Sequence, residues 1–152
     1  MTTVTRSAVH DARALVRESI VWDMTMPWGH WGDQSLKPQA LRRLESIYTV
    51  TSLTLAGDDT DTLSAINAIA EERARIRANP DTLVLIESVA DVARCHDEGK
   101  LGISFHFQGS VPAGRNLELI EVFYTLGVRH MLMAYNQKNF VGDGCHERTD
   151  SG

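Results

Sequence analysis

The stretch "LGISFHFQGS", Leu101 to Ser110, decides how this chain folds. Leu101, Ile103, Phe105 and Phe107 alternate with Gly102, Ser104, His106 and Gln108, the period of two that marks a strand. Gly109 then breaks the run. His106 and Gln108 share one face, with Ser104 one layer deeper. Polar side chains there imply that the carboxyl end of the strand looks onto a pocket.

On both sides of this strand, further strands alternate with helices. Ala8 to Glu18 is helical in pattern, and Ser19 to Met26 reads as a strand stopped by Pro27. Trp28 to Lys37 is a loop holding two of the three tryptophans. Pro38 suits the first turn of a helix reaching Ser46. Tyr48 to Ala56 is rich in β-branched residues and reads as a strand; "GDDTD" then offers a turn and N-cap oxygens. Leu63, Ile66, Ile69, Ala70, Arg73 and Ile76 recur at helical spacing, and Asn79-Pro80 ends that helix. Thr82 to Glu87 is a short strand. Ser88 caps the next helix and Gly99 closes it. Asn116 to Leu126 is a helix closed by Gly127, Val128 to Tyr135 is a strand, and a polar loop follows from Asn136.

This alternation builds βα units around a parallel sheet. There are four substantial strands and one short one, half of what a (β/α)8 barrel of about 250 residues requires. The 152 residues are therefore expected to form one α/β domain, the N-terminal half of a TIM barrel with parallel strands, truncated or completed by a further segment. An independent small α/β module is the rival, and its two open sheet edges weigh against it.

Composition narrows the function. Hydrophobic residues make up 43% and charged residues 23%, as in globular proteins. A net charge of -5 gives no electrostatic reason to expect nucleic acid or an anionic membrane as partner. No apolar run approaches the roughly 18 residues of a membrane span, and the amino-terminal stretch lacks a signal-peptide core. Cys95 and Cys145 make no disulfide framework, so a cytoplasmic location is expected. Cys95 falls in a helical pattern, as a packed thiol.

In parallel sheets ligands bind beyond the carboxyl ends of the strands. The windows to inspect are Asp23 to Trp28, Ala56 to Asp59, His106 to Ser110 and Tyr135 to Asn139. Asp23 reads either as an orienting carboxylate in a pocket or as a residue bonding its own backbone. His106 reads as a substrate-facing histidine or as a buried, hydrogen-bonded one. Gln108 can donate and accept toward a substrate and is a poor metal ligand. Tyr135 can donate to a developing oxyanion or simply cap the barrel. His146, beside Cys145 and Glu147, has no recognisable ligand spacing. Trp28 to Trp31 could wall a pocket or make a packing contact.

Three stretches are similar to one family. "IVWDMTMPW" resembles the opening strand of the renal (membrane) dipeptidases, V-D-G-H-x-D-L-P. "GKLGISFHFQG" resembles their strand ending in Glu-Gly. "LELIEVFYTLGVRHMLMAYNQKNFVGDGC" resembles their helix, Leu-Gly-Val-Arg, strand, His-Asn and following Asn. The resemblance implies a (β/α)8 zinc hydrolase that cleaves dipeptides at two metal ions bridged by a carboxylate. Asp23 matches the leading Asp. Thr25 then stands at the metal-binding His, Pro27 at the metal-binding Asp, Gln108 at the bridging Glu and Tyr135 at the substrate-contacting His. Thr, Pro and Gln cannot rebuild the usual binuclear centre.

The resemblance thus implies a dipeptidase-like amidohydrolase of a small peptide or amide. No metal ligand is assigned in this chain; one zinc or other divalent ion would be held by residues outside it. Gln108 and Tyr135 would be catalytic, and Asp23, His106, Asn136 and Asn139 substrate-binding. The partners implied are a dipeptide or other small substrate and the C-terminal half of the barrel, with homo-oligomer formation left open. The competing reading is a non-catalytic homologue that binds a small ligand.

Overall fold

The computed structural model describes residues 6–27, 44 and 47–148. The tryptophan loop and all of the helix expected from Pro38 except Leu44 lie outside the described residues. The elements run α1 (Arg6–Glu18), β1 (Trp22–Met26), β2 (Val50–Ala56), α2 (Thr62–Arg77), β3 (Leu83–Leu85), α3 (Val89–Glu98), β4 (Leu101–Phe107), a 3-10 turn (Val111–Ala113), α4 (Glu118–Thr125) and β5 (Val128–Met131). None of the described helices is long and apolar enough to cross a membrane.

Every strand pairing is parallel. β4 is central. β2 pairs along nearly its whole length on one edge, while the other edge takes β3 on its first residues and β5 on its last. β1 adds to the outer edge of β2. The curved sheet thus has four main strands, with β3 as a short graft at the foot of β4.

Both faces of β2 and β4 are buried, so both strands are buried at every position. Leu53, Leu55, Ile103, Phe105 and Phe107 pack beneath Ala65, Ile69 and Ile76 of α2 and Phe123 of α4. Phe107 and Phe123 meet edge to face at 4.9 Å. Burying a Phe or Leu side chain contributes about 1.5–3 kcal/mol, so this layer holds the helices to the sheet. The opposite face mixes a polar pair with a second apolar cluster: Ser52 pairs with Ser104, and Trp22 donates to Ser52 Oγ at 3.0 Å, while Val50, Val84 and Ile86 pack with Val92 and Cys95 of α3.

Helix ends follow local chemistry. Asp61 caps α2 by accepting from Ser64 N at 2.7 Å. Ser88 and Asp91 form a capping box on α3, and Gly99 closes it in the left-handed conformation at φ 65°. The buried line of α2 is Ala65, Ile69, Glu72 and Ile76. Leu63, expected on that line, is exposed, because a two-residue step turns a helix by about 200° and Ala65 is the residue that faces the sheet. Glu72 is buried on the same line with Arg75 at 3.3 Å. Burial pushes its carboxyl above the usual carboxylate range.

β5 is shorter than its sequence suggests. The strand expected through Tyr135 ends at Met131. Leu132 N still donates to Phe107 O at 2.9 Å, but β4 offers no further partner because it too ends at Phe107. Tyr135 therefore stands in the loop after the strand, not at its tip.

Candidate functional site

Beyond the carboxyl ends of β2 and β4 lies a cavity of about 340 Å³ lined by Thr54, Ala56, Gly57, Asp58, Asp59, Gln108, Tyr135, Asn136 and Gln137. Gln108 gets there because its backbone N donates to Ala56 O at 2.8 Å, one step past the strand. Its side chain emerges as the sheet gives way to solvent. The loop after β5 returns over the same end. Asn136 N donates to Asp58 Oδ2 at 2.9 Å, joining residues 78 positions apart.

Under this cavity two imidazoles are stacked. The rings of His106 and His130 lie 4.6 Å apart, 6° from parallel. Thr54 Oγ1 donates to Met26 O at 3.0 Å and lies 2.9 Å from His106 Nε2. The hydroxyl's one proton is committed to Met26, so the network assigns the Nε2–H tautomer to His106. His130 Nε2 donates in turn to Met24 O at 2.8 Å. Both histidines therefore tie the polar face of the sheet to carbonyls of β1. His106 is 1% exposed, and its Nδ1 makes no hydrogen bond. Burial first, and the neighbouring His130 second, push it down to about 4; the Ser52 backbone and Asp23 pull the other way.

The structure thus gathers Gln108, Tyr135 and Asn136 into one cavity, with His106 beneath it through Thr54. It does not bring Asp23 or Asn139 to the lining. Asp23 Oδ1 accepts from Thr25 N at 3.0 Å, the local backbone bond that its position allows. Asn139 shapes its own loop: its side chain donates to Met133 O at 2.8 Å and accepts from Val141 N at 2.8 Å. Thr54, Asp58, Asp59, Gln137 and His130 were not singled out by the sequence. Asp58 and Asp59 fall in a strand-end window, and Thr54 shares the polar face with Ser52. Gln137 likewise falls in the window from Tyr135 to Asn139, whereas nothing local in the sequence pairs His130 with His106.

The donors of the cavity do not fit a two-zinc centre. Thr25, Pro27 and Gln108 occupy the positions where the resemblance puts a His and two carboxylates. Asp58 already accepts a backbone N–H. Among the described residues no group of three His, Cys, Asp or Glu side chains could hold a metal ion. Thiol chemistry is also disfavoured at the other end of the sheet. There Cys95 borders a cavity of about 140 Å³, and burial pushes its thiol up to about 11.

The family profile described as Membrane dipeptidase (Peptidase family M19) matches residues 39–152. An amidohydrolase from Pseudomonas aeruginosa superposes with a TM-score of 0.79 and 28% identity, covering 92% of this chain and 41% of that one. The probable dipeptidase PvdM from Pseudomonas aeruginosa gives 0.71 and 18%, covering 91% and 40%. A metallo peptidase from Rhodobacter sphaeroides, liganded with a phosphinate mimic of the dipeptide L-Ala-D-Ala, gives 0.68 and 15%, covering 82% and 48%. No curated protein matches the chain. The chain spans less than half the length of each of these solved structures. Its four main parallel strands are half of a barrel of eight. The chain belongs to the membrane dipeptidase family, peptidase family M19, and has the fold of the N-terminal half of its TIM barrel.

Proposed function

We propose that the protein is a dipeptidase-like hydrolase of small peptides or amides, and that the cavity above β2 and β4 is one wall of its substrate cleft. The observation that carries this reading is the convergence of Gln108, Tyr135 and Asn136 in one cavity at the strand ends, the place where barrel enzymes work. The lining offers two carboxylates, three amides, a phenol and a hydroxyl, and no Lys, Arg or His. Such a wall is complementary to the cationic amino end of a dipeptide and offers no cation to its carboxylate. Gln108 and Tyr135 orient the amide to be cleaved, with the phenol donating to the oxygen that gains charge. A divalent metal, the family's cofactor, would be bound by donors other than those described here.

Hydrolysis of Ala-Ala by the full-length protein, supplied with zinc, tests this reading. Expected are release of alanine, slower turnover of N-acetyl-Ala-Ala, and a loss of at least about tenfold in kcat/KM for Tyr135→Phe and Gln108→Ala at unchanged Tm. Absence of both turnover and dipeptide binding would overturn it. The second reading, a non-catalytic binder of a small ligand, is favoured by the Thr25, Pro27 and Gln108 replacements. Binding of Ala-Ala without turnover would select it.

A further inference from the structure

We propose that Asp58 is a positioning residue, which fixes the backbone of Tyr135 and Asn136 so that their side chains face the cleft. This rests on the assignment of that cleft as the substrate site. Asp58 is itself set by a tight turn after β2, where Gly57 N donates to Thr60 Oγ1 at 3.0 Å and Thr60 N to Gly57 O at 3.3 Å. Thr60 is buried, so the turn is anchored in the fold. From there Asp58 Oδ2 accepts the Asn136 N–H at 2.9 Å.

The far side of the same peptide segment is held as well. Cys145 N donates to Tyr135 O at 2.7 Å and His146 N to Asn136 O at 3.0 Å. Gly144 lies so close that a Cβ there would fall 2.3 Å from Asn136 C and Gln137 N, so the two passes of the loop are in backbone contact. Residues 144–146 therefore clasp Tyr135 and Asn136 from the loop side, and Asp58 attaches the clasped pair to the sheet. Two residues before Tyr135, Ser110 Oγ donates to Met133 O at 2.9 Å and holds the start of the loop to the segment after β4. Tyr135 is 43% exposed, so packing alone does not orient its ring, and the placement of its backbone decides where the phenol points. Among the described residues Asp58 Oδ1 is buried with no hydrogen-bond partner, so Oδ2 alone carries the bond by which this carboxylate holds the segment.

Four variants of the full-length protein test the idea: Asp58→Ala, Asp58→Asn, Tyr135→Phe, and Asp58→Ala with Tyr135→Phe. Asn keeps an oxygen that can accept the Asn136 N–H. Asp58→Ala should lower kcat/KM for Ala-Ala by about tenfold, and Asp58→Asn by no more than about threefold. On the Tyr135→Phe background, Asp58→Ala should cost clearly less than it does in wild type, because the two act partly through one group while Asn136 carries the rest. The Asn136 amide should exchange with solvent about tenfold faster in Asp58→Ala than in wild type, and stay protected in Asp58→Asn. Should Asp58→Ala not fold, Asp58→Ser, too short to reach Asn136, takes its place. Equal damage from Asn and Ala, multiplicative loss with Tyr135→Phe, or unchanged exchange at Asn136 would overturn the inference. If the wild type turns over no dipeptide, the hydrolase reading fails separately. The same variants are then read by the Kd for Ala-Ala. About tenfold weakening in Asp58→Ala but not in Asp58→Asn supports the inference, and equal Kd values overturn it.

Discussion

An imidazole taken out of water must stay neutral unless something compensates its charge, and His106 has little that does. Its Nε2–H reaches Thr54, its Nδ1 has no partner, and its flat face lies on His130 rather than on a carboxylate. The folded-state value of about 4 lies below the ordinary 6.5. Between those two values the unfolded chain binds a proton that the folded chain refuses. The contribution of His106 to stability is thus complete above pH 6.5 and is lost as pH falls toward 4. Replacing it with a neutral amide removes this proton linkage. In thermal melts from pH 7.5 to 4, the Tm of His106→Gln should fall less steeply than that of wild type, with the difference growing below pH 6.5. Parallel curves would refute the buried neutral histidine. From the sequence, alternation placed His106 on the polar face of its strand. It could not supply His130 as the stacking partner, since that contact depends on the register that pairs His106 with His130 across β4 and β5. Asp58 was similarly half-legible: its window was marked, but its bond to Asn136 spans 78 positions that no local pattern connects.

At the scale of elements, what was legible is what local chemistry determines. The capping residues Asp61 and Ser88, and the closing glycines Gly99 and Gly127, stand where the sequence put them. The C-terminal end of β5 and part of the buried line of α2 differ from that reading, because both depend on where a neighbouring element stops or faces. The two glycines now separate by context. Gly99 has φ 65° and nothing near its Cβ position, whereas Gly127 has φ 110° and a Cβ there would sit 3.1 Å from the ring of Phe105. Alanine at Gly99 should cost about 1 kcal/mol, the ordinary left-handed penalty. Alanine at Gly127 adds crowding against a fully buried ring that cannot move without disturbing the layer of Phe107 and Phe123, so its cost should be larger, about 2–4 kcal/mol. Urea unfolding of both variants compares them directly. A Gly127→Ala protein as stable as Gly99→Ala would mean that α4 and β5 are joined differently.

The whole molecule is a curved sheet whose outer strands, β1 and β5, each have one neighbour among the described residues. Burial is lopsided in consequence. β2 and β4 are buried along their whole length, while β1 is half-buried at Trp22, Asp23 and Met26 and exposed at Met24 and Thr25. Apolar side chains lie open near both outer strands: Met24 is 45% exposed, Leu132 46% and Met133 61%. His130 ties β5 to Met24 across the sheet, yet among the described residues the outer backbone edges of both strands have no partner strand. Unpaired parallel strands beside exposed apolar groups are templates for pairing with another chain. Half a barrel should therefore bury these edges against whatever is available. For a polypeptide of these 152 residues, that is a second copy. At tens of micromolar, light scattering after size exclusion should give a mass above that of one chain, and Met24→Lys with Met133→Lys should return it toward 16.9 kDa. A cooperative, soluble monomer of the unmodified sequence would show that curvature and the His130–Met24 bond alone suffice to protect the edges. The half barrel would then be a self-sufficient unit.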